Sequence, residues 1–399
     1  MVSLDCGWKG ALHLLVWSLQ LHGTLVVMAI GRALPEATDR IQLADGRWLE
    51  LLEPLGRGSS ATVHRGVLGS RAFGFETVER QVAVKLFSPV SSEEADVAAA
   101  ALVRAVRRLA LVEHPNVARV YECGLWRAQP FVVSELVAGV SLAAFLDGYA
   151  RRQRRPPLDL ALFVGVEVAE ALAGARVASG PDGVQLAMLH HGLSSREVLL
   201  SVRGEVKVTD FEVSTVRAAS SSVCSMRAVA RRAASLAPEV AQGDEPDPRS
   251  DVFSLGLLLR ELLIGPRFPA SLTSTEALRL AREGFVQSFT FQPHLPDGLV
   301  SVIARALEVE PDRRYPNAGA MAFDLRREAL AMGVGDGRYF LRCALERDWA
   351  PPADEITSER SLGPAAGPRP SEEEREVARA RRRDREPHGA EVTPLKRRR

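Results

Sequence analysis

From about residue 48 the chain alternates as strands do. WLELLEPLGRGSSATVHRGVL reads as strand, glycine turn and strand, and RQVAVKLFSPV as a further valine-rich strand. The period then changes. In SSEEADVAAAALVRAVRRLALVEHPN, Ser91 or Ser92 offers an N-cap oxygen, acids fill the first turn, and an alanine-rich helix follows. After FVVSELVAG helical spacing dominates: over residues 158–178, Leu158, Leu162, Val166, Ala169 and Leu172 recur on one face. SDVFSLGLLLRELLIG, STEALRLAREGF, LVSVIARALEVE and AGAMAFDLRREALAMG continue in helical register, and RYFLRCALERDW (338–349) predicts one more short helix against them. The pattern predicts an α+β chain of two lobes, a small β-rich one interrupted by a single helix and a larger α-helical one. No internal repeat is present.

The two ends read differently. Residues 11–31, ALHLLVWSLQLHGTLVVMAIG, are long enough to cross a bilayer, yet His13, Gln20 and His22 make a poor membrane helix. As an anchor, with Arg32, Arg40 and Arg47 after it against Lys9 before it, the segment would leave the following domain cytoplasmic. A cleaved export signal is disfavoured by the weak cleavage site in ALPEAT. The alternatives are a packed extension or a start at Met28. At the other end, residues 351–399 are rich in proline, glycine and charge, and cannot bury enough apolar surface to offset their ordering entropy. The expected boundaries are an extension over 1–47, a folded domain over 48–332, a short helix within 333–350 and a disordered tail over 351–399.

Composition narrows the partners. With 46% hydrophobic and 25% charged residues the chain is ordinary and soluble, and 51 basic against 50 acidic residues leave no global field for nucleic acid. No helix-turn-helix, zinc finger or aromatic–basic face points that way either. Cys6, Cys123, Cys224 and Cys343 lie far apart, which suits idle thiols in a reducing, cytoplasmic setting better than zinc or disulfides. A membrane is a partner only if residues 11–31 form an anchor.

LGRGSSATV places Gly56, Gly58 and Val63 as in a phosphate-cradling loop, where missing β-carbons let backbone N–H groups approach a polyphosphate. VAVK follows and ends in Lys85, in the strand context from which a lysine reaches α- and β-phosphates. With these motifs, residues 48–332 resemble the bacterial branch of the eukaryotic-like serine/threonine protein kinase family. HPNVARVYECG is similar to the segment after the family's regulatory helix. FVVSELVAGVSLAAFL is similar to its hinge, with Ser134 as gatekeeper and Glu135 to Val137 along the adenine edge. VKVTDF ends in Asp210 and Phe211 like the strand that delivers the metal-binding aspartate. Ala237, Pro238 and Glu239 match the tripeptide closing the activation segment, Asp251 and Gly256 the large-lobe helix, and Arg314 the arginine that pairs with that glutamate. The resemblance implies a two-lobed kinase fold, ATP and Mg²⁺ as cofactors, and a protein substrate or partner.

The catalytic groups depart from the family pattern. His190 keeps step with the catalytic loop, but Gly192 stands where the catalytic aspartate belongs, Ser194 where the lysine does, and Glu197 in place of the asparagine. Glycine offers no acceptor for a substrate proton, and general-base help is worth about 10²- to 10⁴-fold. Ala105 takes the place of the regulatory-helix glutamate, with Arg104 or Val106 as the neighbouring registers, so Lys85 lacks its usual carboxylate. Glu212 follows Phe211 in place of glycine and is expected to substitute for it. Arg232 replaces the threonine near the catalytic loop, while Ser220, Ser221, Ser222 and Ser225 are candidate phosphate acceptors. Asp210 and Glu197 are the candidate magnesium ligands; Gly56, Gly58, Val63, Lys85, Glu135, Val137 and Asp210 the candidate nucleotide contacts. Two functions remain open. One is a pseudokinase with residual ATP binding; the alternative is an active kinase using His190 or His191 as a substitute base.

Overall fold

The computed structural model describes residues 40–349 except 44, 59–60, 73–74, 89–99, 101–102, 128, 212–229, 231, 270 and 287–294, and the backbone of one hairpin in the N-terminal extension. That hairpin pairs β1 (Leu15–Leu21) antiparallel with β2 (Thr24–Ile30), in register from Leu15 with Ile30 to Leu21 with Thr24. The apolar segment is therefore split into two seven-residue strands rather than wound into the helix an anchor needs, which takes about 20 residues. Among the described residues no helix is long and apolar enough to cross a membrane. The charged tail lies outside the described residues.

The small lobe is one antiparallel sheet. Its strands are β3 (Arg40–Gln42), β4 (Trp48–Arg57), β5 (Ala61–Ala72), β6 (Phe75–Phe87), β7 (Val120–Trp126) and β8 (Gln129–Glu135), in the order β3-β4-β5-β6-β8-β7. Alternation in β6 sends Val82, Val84 and Leu86 into a core with Leu49, Leu68, Phe131 and Val133, and so turns Ala83 and Lys85 to the other face. Register shifts in β4 flank Pro54, which has no N–H to give to the ladder. The interrupting helix, α1, is described over 103–109, where Ala105, Val106 and Leu109 are buried and Arg104 is exposed. Its proposed caps, Ser91 and Ser92, lie outside the described residues.

Between the lobes, β9 (Gly139–Ser141) pairs with β10 (Val198–Ser201), which pairs with β11 (Val206–Val208). This small sheet carries the chain into α2 (Leu142–Arg151), whose first turn is capped by Ser141 accepting from the Ala144 N–H at 3.3 Å. Then come α3 (Leu158–Val177), α4 (Pro238–Gln242), α5 (Pro248–Leu263), α6 (Ser274–Arg282), α7 (Asp297–Ala306), α8 (Ala318–Ala331) and α9 (Gly337–Asp348). α3 and α5 are apolar around most of their circumference, because other elements cover them on several sides. Asp247 starts α5 with a reciprocal cap: it accepts from the helix's first turn while Ser250 Oγ accepts from the Asp247 N–H.

The last helix follows the sequence expectation and is bound in tightly. Leu341, Ala344 and Leu345 of α9 are buried, and Tyr149 Oη donates to Asp348 at 2.7 Å. Gly337 sits so close to Phe163 of α3 that a Cβ would fall 2.2 Å from the ring.

Candidate functional site

The glycine turn joins β4 and β5. Gly58 N–H donates to the Ala61 carbonyl at 2.8 Å, and Gly56 pairs with Val63, which in turn lies opposite Lys85 on β6. Among the described residues a Cβ on Gly56 would meet nothing within 4 Å, so none of them requires glycine there. The open side is left for something else to approach. A cavity of about 270 Å³ is lined by Gly58 of this turn with Ala61, Thr62, His64, Leu86 and Gln129, and Lys85 is not part of its lining.

Lys85 Nζ donates to Asp210 Oδ2, bringing together two residues far apart in sequence. Asp210, two residues after the end of β11, adopts a φ of 66°, a left-handed conformation uncommon outside glycine but enriched in asparagine and aspartate. Ala105 is buried at the position expected of the regulatory glutamate and offers no acceptor. The expectation that Glu212 would take over falls on a residue outside the description; the partner the structure gives Lys85 is Asp210. Ser220, Ser221, Ser222 and Ser225 also lie outside the described residues.

The hinge splits its duties between side chain and backbone. Glu135 receives Lys207 Nζ at 3.1 Å and the Arg119 N–H at 3.2 Å on its carboxylate, while its own N–H donates to the Arg119 carbonyl at 2.8 Å. Its side chain therefore ties the hinge to β11. The N–H of Val137 has no backbone partner among the described residues.

Around His190 the backbone is anchored, while Gly192, Ser194 and Glu197 occupy the positions expected to carry catalytic groups. Asp251, fully buried on α5, accepts from the backbone N–H of His190 at 2.8 Å and of His191 at 3.2 Å. Burial pushes its carboxyl above the ordinary range, against the opposing pull of His190 and those amides. His190 is only 1% exposed, its Nε2–H donates to the Thr209 carbonyl at 2.9 Å, and its ring centroid lies 4.9 Å from that of the buried Phe211. Burial lowers its pKa, so the ring is neutral and turned into the core. This geometry removes His190 as a general base. His191 is half-buried at φ 63°, its pKa lowered by burial despite Glu245 and further by Arg108 and Arg232.

Gly192 follows at φ 151°, where an L-residue is strained. The loop thus follows a backbone suited to the glycine it carries. We expect Gly192→Asp to cost about 1–3 kcal/mol of stability without bringing measurable phosphate transfer, as read by denaturant unfolding and a radiolabel assay. Glu197 is committed locally: its Oε2 accepts from the Ser194 N–H at 3.1 Å and from the Ser194 hydroxyl, while its carbonyl accepts from the Thr209 N–H at 2.8 Å. As a magnesium site the pair fits poorly, because the Asp210 carboxylate is engaged by Lys85 and that of Glu197 by Ser194. Among the described residues no group of three or more His, Cys, Asp or Glu could hold a metal ion.

Below the loop, Arg314 is fully buried and forms a two-pronged ion pair with Glu239, at 2.7 Å to Oε1 and 2.8 Å to Oε2. Ser250 Oγ donates to the same carboxylate at 2.9 Å. Burial alone would raise the Glu239 pKa, but Arg314 and the other donors hold it below the ordinary value.

Arg267 escaped the sequence reading. It is 6% exposed and has no carboxylate partner among the described residues; its donors go to the carbonyls of Phe285 at 2.9 Å, Leu236 at 3.0 Å and Ala233 at 3.4 Å. The guanidinium also lies 4.8 Å from the Phe268 ring centroid, and burial pulls its pKa down to about 10. It staples the segment ahead of α4 to the loops flanking α6. The available signal was a lone charge within the apolar run LLIGPRFPA.

Comparison with known proteins agrees with this geometry. The chain is 28% identical over 275 residues to tyrosine-protein kinase MasK of Myxococcus xanthus, covering 68% of this chain and 41% of that protein. It is 31% identical over 298 residues to serine/threonine-protein kinase PksC of Streptomyces coelicolor, covering 72% of this chain and 50% of that protein. The chain thus spans half or less of the length of these relatives. Among solved structures, the PknI kinase domain of Mycobacterium tuberculosis is similar with a TM-score of 0.53 at 22% identity, over 74% of this chain and 99% of that domain. The profile of the family described as protein tyrosine and serine/threonine kinase matches residues 49–319, and the chain belongs to that family.

Proposed function

We propose that this protein is a pseudokinase: a kinase-fold signalling protein that binds ATP and a protein partner while transferring little or no phosphate. The observation that carries the reading is Gly192, which supplies no proton acceptor and sits at a φ of 151°. Ser194 in place of the lysine removes charge stabilisation of the moving phosphoryl group as well. Nucleotide contacts are better supported. The open side of Gly56, the charge of Lys85 and the backbone of Val137 suit phosphate, phosphate and adenine edge in turn.

In this reading ATP, when bound, would bring a polyphosphate anion and a flat base, and the residues present act by holding them. The intact frame of Asp251, Glu239 and Arg314 keeps a surface in shape for a partner. The test is radiolabel transfer from ATP by the purified chain to itself and to generic protein substrates. We expect no transfer above background. Robust autophosphorylation that disappears in Lys85→Ala would instead establish an active kinase with a non-standard loop.

A further inference from the structure

We infer that nucleotide binding at this site does not use a divalent cation, because Asp210 serves as the counter-ion of Lys85 and not as a metal ligand. The inference rests on the reading of the site as nucleotide-binding. It begins at α1. Residues 103–109 contain no acid, Ala105 is the buried inward residue, and Arg104 faces out. The carboxylate that an ordinary kinase spends on the lysine is missing, so one aspartate is asked to do two jobs.

The structure shows which job it does. Lys85 and Asp210 are in direct contact, with side chains only 17% and 25% exposed, so solvent and salt screen the pair less than a surface pair. The second candidate ligand is no freer, since Glu197 Oε2 holds both the N–H and the hydroxyl of Ser194 and thereby closes the turn of the catalytic-loop segment. Mg²⁺ demands near-ideal octahedral oxygen geometry and usually takes one or two carboxylates along with the phosphates. Here a cation would have to share each carboxylate with an existing partner, Lys85 on Asp210 Oδ2 and Ser194 on Glu197 Oε2. A lysine ammonium needs no such geometry and interacts with phosphate as a point charge. Polyphosphate therefore competes with Asp210 for Lys85, and the glycine turn supplies the remaining contacts.

The experiment is calorimetric titration of the full chain with ATP, once in EDTA and once in Mg²⁺. The dissociation constants are expected to agree within about threefold. Asp210→Asn, which frees Lys85, should bind ATP about three- to tenfold tighter in Mg²⁺ as well as in EDTA, whereas loss of a metal ligand would weaken binding in Mg²⁺. Lys85→Met should lose binding in both media while remaining folded at the temperature of the titration. Tightening by Mg²⁺ of about tenfold or more, or an Asp210→Asn variant no tighter than the parent, would overturn the inference and leave nucleotide binding standing. Absence of ATP binding in both media would overturn both.

Discussion

Arg314→Ala is expected to destabilise the protein by about 3–5 kcal/mol, the usual cost of stranding one half of a buried ion pair. The side chain of Arg314 is wholly inaccessible, and besides the two oxygens of Glu239 it serves the carbonyls of Glu308, Val309 and Arg249. Its loss leaves all of these without their donor. The pH dependence identifies the mechanism. In the parent the Glu239 pKa is lowered, so its contribution is present above the ordinary glutamate range and is lost as pH falls through the lowered folded value. Without Arg314, burial, the largest single influence on Glu239, is opposed only by Ser250 and backbone donors, and the sign inverts: the carboxylate is unfavourable when charged and is relieved as pH falls. The deficit of the variant should therefore shrink on acidification. Denaturant midpoints across the acid range measure this, and a deficit independent of pH would mean that only packing was lost.

Gly139→Ala is the second change with a large expected effect. A Cβ there would lie 1.9 Å from the carbonyl oxygen of Leu200, and backbone on the neighbouring strand cannot swing aside as a side chain can. β9 must retreat from β10, which undoes the pairing of Gly139 with Ser201 and shifts the hinge just before it. We expect a loss of about 1–3 kcal/mol, in the range of overpacked cores, together with ATP binding weakened more than the stability loss explains. Calorimetry well below the thermal midpoint separates the two effects. Unchanged affinity would place the hinge's contribution elsewhere.

Much of the fold could be read from the sequence because its signals are local. Period-two alternation marked β4, β5 and β6, helical spacing marked α3 and α5 to α9, and the Glu239–Arg314 pair followed from its motif context. What resisted reading depends on which residues meet across the chain. The missing carboxylate at Ala105 was legible, but the contact of Lys85 with Asp210 was not, since Asp210 meets it through a left-handed turn that no spacing rule signals. Glu197 read as a metal ligand by position, and its commitment to Ser194 appears only once the turn is built. The N-terminal apolar run was ambiguous by length alone, and pairing of its two halves was decided by hydrogen bonding rather than hydrophobicity. Arg267 was hidden because carbonyls, unlike carboxylates, leave no mark in a sequence.

The apolar inner face of α1 also redirects how a signal could enter. In a kinase whose helix carries the glutamate, a partner that swings the helix makes or breaks the lysine's ion pair, so the helix acts as a clutch. Here that clutch plate is the methyl group of Ala105, and Lys85 is engaged with Asp210, which lies outside the helix. Links to the large lobe run through the buried Val106 and Leu109 and through Arg108, whose guanidinium donates to the carbonyl of Leu186 on the approach to His190. A protein gripping α1 would thus pull on the stretch leading to the catalytic-loop segment and leave the lysine alone, making that helix a handle on the large lobe rather than a switch for the small one.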